Sequence, residues 1–199
     1  KPMNKDHAKM LVEEVFNLKL KGKVLLHVNP GPSKGTHILV KAVAMLKKLY
    51  GENFTLLIVG RLGLRTYREH VEKMIKGLGL ENHVKIVGYM ENKILPTFYN
   101  ATDVTIVPSY SEGAPLVIPE SLACRTSVIA TAVGGNIEYL HLVNLEKLLV
   151  TLNEYDFSGE LTLKIHEALS SNLTIDHSNI PSWISVAEDY VKLIKSIIS

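Results

Sequence analysis

Short apolar runs recur along this chain, each followed by a longer segment whose apolar residues fall at helical spacing. That alternation constrains the fold more than any other feature. Val24-Leu-Leu-His-Val28 reads as a strand and runs through a Pro/Gly loop at 29–33 into a helix over 35–49, where Ile38, Leu39, Ala42, Val43, Leu46 and Leu49 recur with helical period. The pattern repeats as a strand over 54–59 and a helix over about 66–78 closed by Gly79, then a strand over 84–87 and a short helix over 93–99. A fourth strand over 102–107 leads to a helix through Glu120, and a fifth strand covers 127–131. Strands separated by helices require crossover connections. The expected fold is therefore α/β, a Rossmann-like parallel sheet flanked by helices on both faces. Beyond Tyr139 the pattern thins to a sixth strand over 145–150 and C-terminal helices over 159–169 and 183–198, joined by a polar linker over 170–181.

A parallel sheet binds ligands beyond the carboxyl ends of its strands. The loops with unusual composition (29–34, 60–64, 88–91, 108–115 and 132–136) all fall at those ends, which predicts one shared site. Two acids, Glu112 in the fourth of these loops and Glu120 just after it, have seven residues between them. A carboxylate accepting both hydroxyls of a ribose accounts for one and contact with a sugar for the other, each through charge-assisted hydrogen bonds. The loop His27-Val-Asn-Pro-Gly-Pro-Ser-Lys-Gly35 brings an ammonium to a strand mouth where a helix begins, a suitable place for a diphosphate. It lacks the glycine spacing of a Walker motif.

Composition narrows the alternatives. A length of 199 residues fits one domain over 1–199. Twenty-two basic residues against 20 acidic ones are scattered rather than clustered, so no nucleic-acid partner is expected. No run approaches the roughly 18 apolar residues of a membrane helix, so no transmembrane segment is expected. The single cysteine, Cys124, reads as a small buried hydrophobe and fits a reducing, cytoplasmic compartment. Eight dispersed histidines show no metal-ligand spacing. Leu18, Leu20, Val24 and the Ile/Leu stripe of the last helix read as core. The triplet Asn172-Leu-Thr174 reads as a chance match to a glycosylation acceptor. The first residues hold neither an apolar signal core nor an initiator methionine, and the chain is expected to be a piece of a longer one.

The run Pro108-Ser-Tyr-Ser-Glu-Gly-Ala-Pro-Leu-Val-Ile-Pro-Glu-Ser-Leu-Ala-Cys124 resembles the signature of retaining GT-B glycosyltransferases of the large family 4, Pro-Ser-x-x-Glu-Gly-x-Gly-Leu-x-x-x-Glu-Ala-x-Ala-x-Gly. Lys34-Gly35, Leu56-Leu-Ile-Val-Gly60, Gly79-Leu-Glu-Asn-His-Val-Lys-Ile-Val-Gly88, Val133-Gly-Gly-Asn-Ile-Glu138 and Trp183-Ile-Ser-Val-Ala187 extend the likeness over nearly the whole chain. The resemblance implies one half of a GT-B fold, the nucleotide-sugar-binding half. The donor would be UDP- or GDP-linked, no cofactor or metal would be needed, and a hexosyl group would be transferred with retention. It implies that Asn29, Gly31 and Lys34 face the diphosphate, that the backbone of Val87 meets the nucleobase, and that Glu112 contacts the hexose. Gly113, Ala114, Pro115 and Leu116 would wrap sugar and diphosphate, and Glu120 would hold the ribose. Lys34 and Glu112 would then be catalytic. The acceptor domain, an amino-terminal half, lies outside this chain, which alone is expected to bind donor weakly and not to turn over. A peripheral membrane location through that half is compatible.

Several residues depart from the pattern. Asn29 stands where the family has the diphosphate arginine, and an amide cannot replace a rigid, permanently charged clamp. Pro115 stands for a glycine, Ser127 for a proline and Lys147 for a glycine. Pro119 removes a backbone donor, so the helix through Glu120 must begin late or kink. Arg125 stands for a glycine at a C-cap position that often needs positive φ. These departures leave two other readings in view: a degenerate, non-catalytic GT-B half acting as a binding or regulatory module, and an epimerase-type enzyme working on the nucleotide sugar itself.

Overall fold

The computed structural model describes residues 2–153, 155–171, 180 and 182–198. Strand β1 (Lys23–Val28) sits at its centre. Val24, Leu26 and Val28 join one apolar cluster and Leu25 joins another, as alternation of side chains across a strand requires. Full burial of each such side chain is worth about 1.5–3 kcal/mol. β1 pairs in parallel with β2 (Phe54–Val59) and β4 (Val104–Val107). The sheet has six strands in the order β3-β2-β1-β4-β5-β6, with β3 (Val84–Gly88), β5 (Ser127–Thr131) and β6 (Leu149–Val150), every pairing parallel. The strand order reverses between β1 and β4, which opens a crevice at their carboxyl ends.

Helices cover both faces, as the alternating pattern predicts. Helices α2 (Thr36–Tyr50), α3 (Arg65–Gly77), α6 (Gly135–Leu142) and α7 (Phe157–Ser170) pack on one face with Ile118 and Leu122 of α5 (Val117–Ala123). On the other face lie α1 (Lys5–Phe16) and α4 (Leu95–Ala101), joined by Phe16 and Phe98 with ring centroids 5.0 Å apart. The final helix, α8, spans Trp183–Ile198. No helix among the described residues is long and apolar enough to cross a membrane.

Several elements differ from the sequence expectation. Helix α1 is not expected from the pattern because only Ala8 and Val12 of its residues are fully buried, too few for a clear apolar stripe. Local signals hold it instead: Asn4 caps it by accepting from the His7 amide at 3.1 Å, and Asn17 ends it in a left-handed conformation. Asp103 ties it to the sheet, accepting from Lys5 Nζ and from the Val24 amide, each at 2.7 Å. Helix α6 likewise has no counterpart in the sequence pattern. The expected strand over 145–150 is a 3-10 turn at Glu146–Leu148 followed by the two-residue β6. The helix expected over 93–99 starts at Leu95, since Pro96 fits the first turn, where its missing N–H costs nothing. Of the residues expected in the core, Val24 is buried, and Leu18 and Leu20 pack partly buried beside it. The apolar stripe of α8 is instead exposed, with Ile184 73% and Ile197 74% accessible. The 170–181 linker lies outside the described residues except for its first two residues and Ile180, and so does the Asn172 triplet.

Two departures acquire a structural meaning. Pro119 is the third residue of α5, where a backbone N–H has no helical partner in any case. The first helical bond, Glu120 N to Leu116 O at 3.0 Å, follows it, so the helix starts ahead of the proline at Val117 and loses nothing. Arg125 has φ 64°. The Thr126 amide donates to Ser121 O and the Arg125 amide to Leu122 O, a Schellman ending that places a left-handed residue at 125. An L side chain there is strained. Replacing Arg125 by glycine is expected to raise stability by about 0.5–1 kcal/mol, read as a higher urea midpoint.

Candidate functional site

At the crevice between β1 and β4 lies a cleft of about 770 Å³. Of the residues singled out in the sequence, Asn29, Lys34, Glu112, Pro115, Leu116 and Glu120 line it. Gly31 and Gly113 support it from behind. Gly31 is buried beneath, where its carbonyl accepts from Tyr67 Oη at 3.2 Å and its amide donates to Thr36 Oγ1 at 2.9 Å. Gly113 packs its backbone on Gly135, whose amide donates to Gly113 O at 2.9 Å. Ala114 is exposed just ahead of α5 and is not part of the cleft wall.

Glycines at 35, 134 and 135 make the site compact. A Cβ on Gly35 would overlap the Pro108 carbonyl, one on Gly134 the Glu112 carbonyl, and one on Gly135 the Gly113 carbonyl. Gly35 and Gly134 also have positive φ, 66° and 46°. These contacts press the start of α2 and the loop before α6 against the 108–113 segment, which fixes where Glu112 stands.

Lys34 and Glu112 meet directly. Lys34 Nζ lies 2.7 Å from Glu112 Oε1, which also accepts from Ser109 Oγ at 2.6 Å. The carboxylate side chain is only 9% exposed and the lysine 34%. The sequence pattern assigns these two residues separate tasks, yet here they neutralise each other, and Oε2 is the oxygen these partners leave for a ligand. Glu120 is positioned by a residue the sequence pattern does not single out: Tyr99 Oη donates to its Oε2 at 2.8 Å. Tyr99 is 1% exposed. Burial, then the neighbouring carboxylate, raise its phenol far above the usual range, so it remains a donor. Glu120 Oε1 is left for the cleft.

His27 lies below the 29–35 loop and is 2% exposed. Its Nδ1 is 3.0 Å from Ile106 O, which can only accept, so Nδ1 carries the proton and Nε2 accepts from Thr36 Oγ1 at 2.9 Å. Burial first, then Lys34, pull its pKa down to about 4 against a partly opposing bond to Ile106 O. The imidazole is therefore neutral at pH 7 and holds Thr36 and, through it, Gly31. His37 makes a second such link, with Nδ1 and Nε2 each 3.2 Å from the hydroxyls of Tyr67 and Tyr110. It joins α3 and α2 to the acidic loop. A histidine inside an apolar strand run is the available signal for His27, while nothing in the pattern marks Tyr99.

Val87 occupies a special place on β3. The ladder with β2 pairs Ile58 with Ile86 and then Val59 with Gly88, skipping Val87. An inserted residue of this kind is left out of the pairing, and β3 is an edge strand. Val87 borders a second cavity of about 410 Å³, which shares Gly60, Arg61 and Tyr89 with the main cleft.

Comparison with known proteins gives the family and the fold. The profile of the glycosyl transferases group 1 family matches residues 12–170. The chain belongs to the group 1 glycosyl transferases. D-inositol 3-phosphate glycosyltransferase of Acidothermus cellulolyticus is 40% identical over 126 residues, 60% of this chain and 28% of its own length. The same enzyme of Salinispora tropica is 31% identical over 135 residues, 64% of this chain and 28% of its own. Among solved structures, Anabaena HepE in complex with UDP and glucose matches with a TM-score of 0.80 at 25% identity, over 98% of this chain and 53% of its own. Sucrose-phosphate synthase from Thermosynechococcus elongatus matches with a TM-score of 0.70 at 25% identity, over 99% and 50%. The glycosyl transferase chain thus spans about half the length of the solved relatives.

Proposed function

We propose that this chain is the nucleotide-sugar-binding half of a retaining, family 4-like hexosyltransferase. The observation that carries the reading is the convergence of Lys34, Glu112 and Glu120 on one cleft at the sheet's switch point. In this reading the donor is a UDP- or GDP-linked hexose. Its base lies toward Val87, the residue that the β2 ladder skips, where the edge strand can offer backbone groups to a base edge. Glu120 Oε1 accepts from the ribose diol, held in place by Tyr99. Glu112 contacts the hexose. Lys34, shared between Glu112 and the diphosphate, neutralises charge as the diphosphate departs; electrostatic stabilisation of this kind is usually the largest contribution to catalysis. Side-chain and backbone donors do this work in place of a metal or cofactor. The acceptor is held by an amino-terminal half outside these 199 residues, so this chain alone does not turn over.

Thermal-shift and NMR titration of the chain with UDP, GDP and ADP tests the reading. One nucleoside diphosphate at about 100 times its dissociation constant is expected to add about 2.7 kcal/mol of stability and so name the base. Silence from all three at millimolar concentration would sink donor binding. Asn29 and the closed Lys34–Glu112 pair would then favour the degenerate binding module.

A further inference from the structure

We propose that Arg61, at the end of β2, supplies the guanidinium that the diphosphate lacks at position 29. The inference rests on the donor-site reading above. Charge is its first support. The cleft walls carry Lys34 and Arg61 against Glu112 and Glu120, with His27 neutral. Lys34 is already held 2.7 Å from Glu112, so Arg61 is the cation on these walls that no carboxylate holds among the described residues. Without it the walls would be net negative, and a diphosphate would be repelled.

Position is the second support. The parallel register sets Val28 beside Val59, and the Asn29 amide donates to Val59 O at 2.9 Å. Gly60, at φ 128°, then lets the two loops touch: a Cβ there would lie 2.7 Å from Pro30 Cδ and 3.2 Å from the Asn29 backbone. Arg61 therefore leaves the sheet next to the residue that replaces the family's arginine. Its side chain is exposed, with the guanidinium carbon 5.1 Å from the Tyr89 ring centroid. An exposed cation–π contact is weak beside bidentate hydrogen bonding to phosphate, so the ring parks the guanidinium without competing for it.

The test is calorimetric titration of the chain and of Arg61→Ala with the nucleoside, its 5′-monophosphate and its 5′-diphosphate, in the uridine and guanosine series. Arg61→Ala is expected to weaken the diphosphate about tenfold, the monophosphate less and the nucleoside not at all, with the unfolding midpoint unchanged because the side chain is exposed. Arg61→Lys, which keeps charge but not the planar fork, is expected to fall between. An equal loss for all three ligands would assign Arg61 and Tyr89 to the base, and an undiminished diphosphate affinity would leave Arg61 without a role; either overturns the proposal. Failure of the unsubstituted chain to bind any diphosphate would instead overturn the donor-site reading, and this proposal with it.

Discussion

Glu120→Ala is expected to lower nucleoside diphosphate affinity by about two orders of magnitude and also to weaken the fold. On the proposed donor-site reading the first effect follows from losing an anionic acceptor for two ribose hydroxyls, which at the lower end of about 1.5–3 kcal/mol per bond amounts to about two orders of magnitude. The second follows from Tyr99, whose buried Oη donates to Glu120 Oε2 at 2.8 Å and would lose that partner. An orphaned buried donor costs about 1–3 kcal/mol. Two consequences of one substitution would be confused in an activity assay alone. The Glu120→Ala, Tyr99→Phe pair separates them, because removing the hydroxyl removes the orphan. Urea midpoints of the double variant are expected to recover most of the lost stability while nucleotide binding stays lost. If binding returned with stability, Glu120 would be a structural anchor and no ribose ligand.

Acidification is expected to destabilise the chain by about 3 kcal/mol between pH 6.5 and 4 through His27 alone. The imidazole keeps its ordinary pKa of 6.5 when unfolded but is held to about 4 in the fold, chiefly by burial and secondarily by Lys34. Across that window the unfolded chain binds the extra proton, so stability falls as pH falls and this contribution levels off below about 4. Above 6.5 both states are neutral and the effect vanishes. His27→Gln retains a donor for Ile106 O and an acceptor for Thr36 without the titration. Urea unfolding from pH 7 to 4 is expected to show a shallower decline in that variant. Superimposable declines would mean that His27 is not the group responsible. Because His27 holds Thr36, and Thr36 holds Gly31, the same protonation should loosen the loop that delivers Lys34.

Much of the fold is legible in the sequence because it is written in local patterns. The strands expected over 54–59 and 127–131 match β2 and β5 as observed, since each is a run buried on both faces and bounded by turns. The positive φ at Arg125 is legible because a C-cap geometry is fixed within a few residues. Helix α1 is not, because it buries only Ala8 and Val12 and is anchored by a salt bridge from Lys5 to Asp103, nearly a hundred positions away. The sixth strand expected over 145–150 is present only as β6 at Leu149–Val150, because Leu145 and Leu148 reach the core around a 3-10 turn instead.

The site divides in the same way. Sequence by itself determined the residue types and their order: a lysine after β1, two glutamates after β4, and glycines where loops must touch. Only the tertiary structure decided their partners. It set Lys34 on Glu112, gave Glu120 to Tyr99, placed His27 under the loop and brought Arg61 and Asn29 to the walls of one cleft. Periodicity and turn chemistry act over a few residues, whereas hydrogen bonding and charge depend on atoms 2.6–3.2 Å apart that the chain brings together from distant positions. That proximity is set by strand order and close backbone packing, and neither is encoded at any single position.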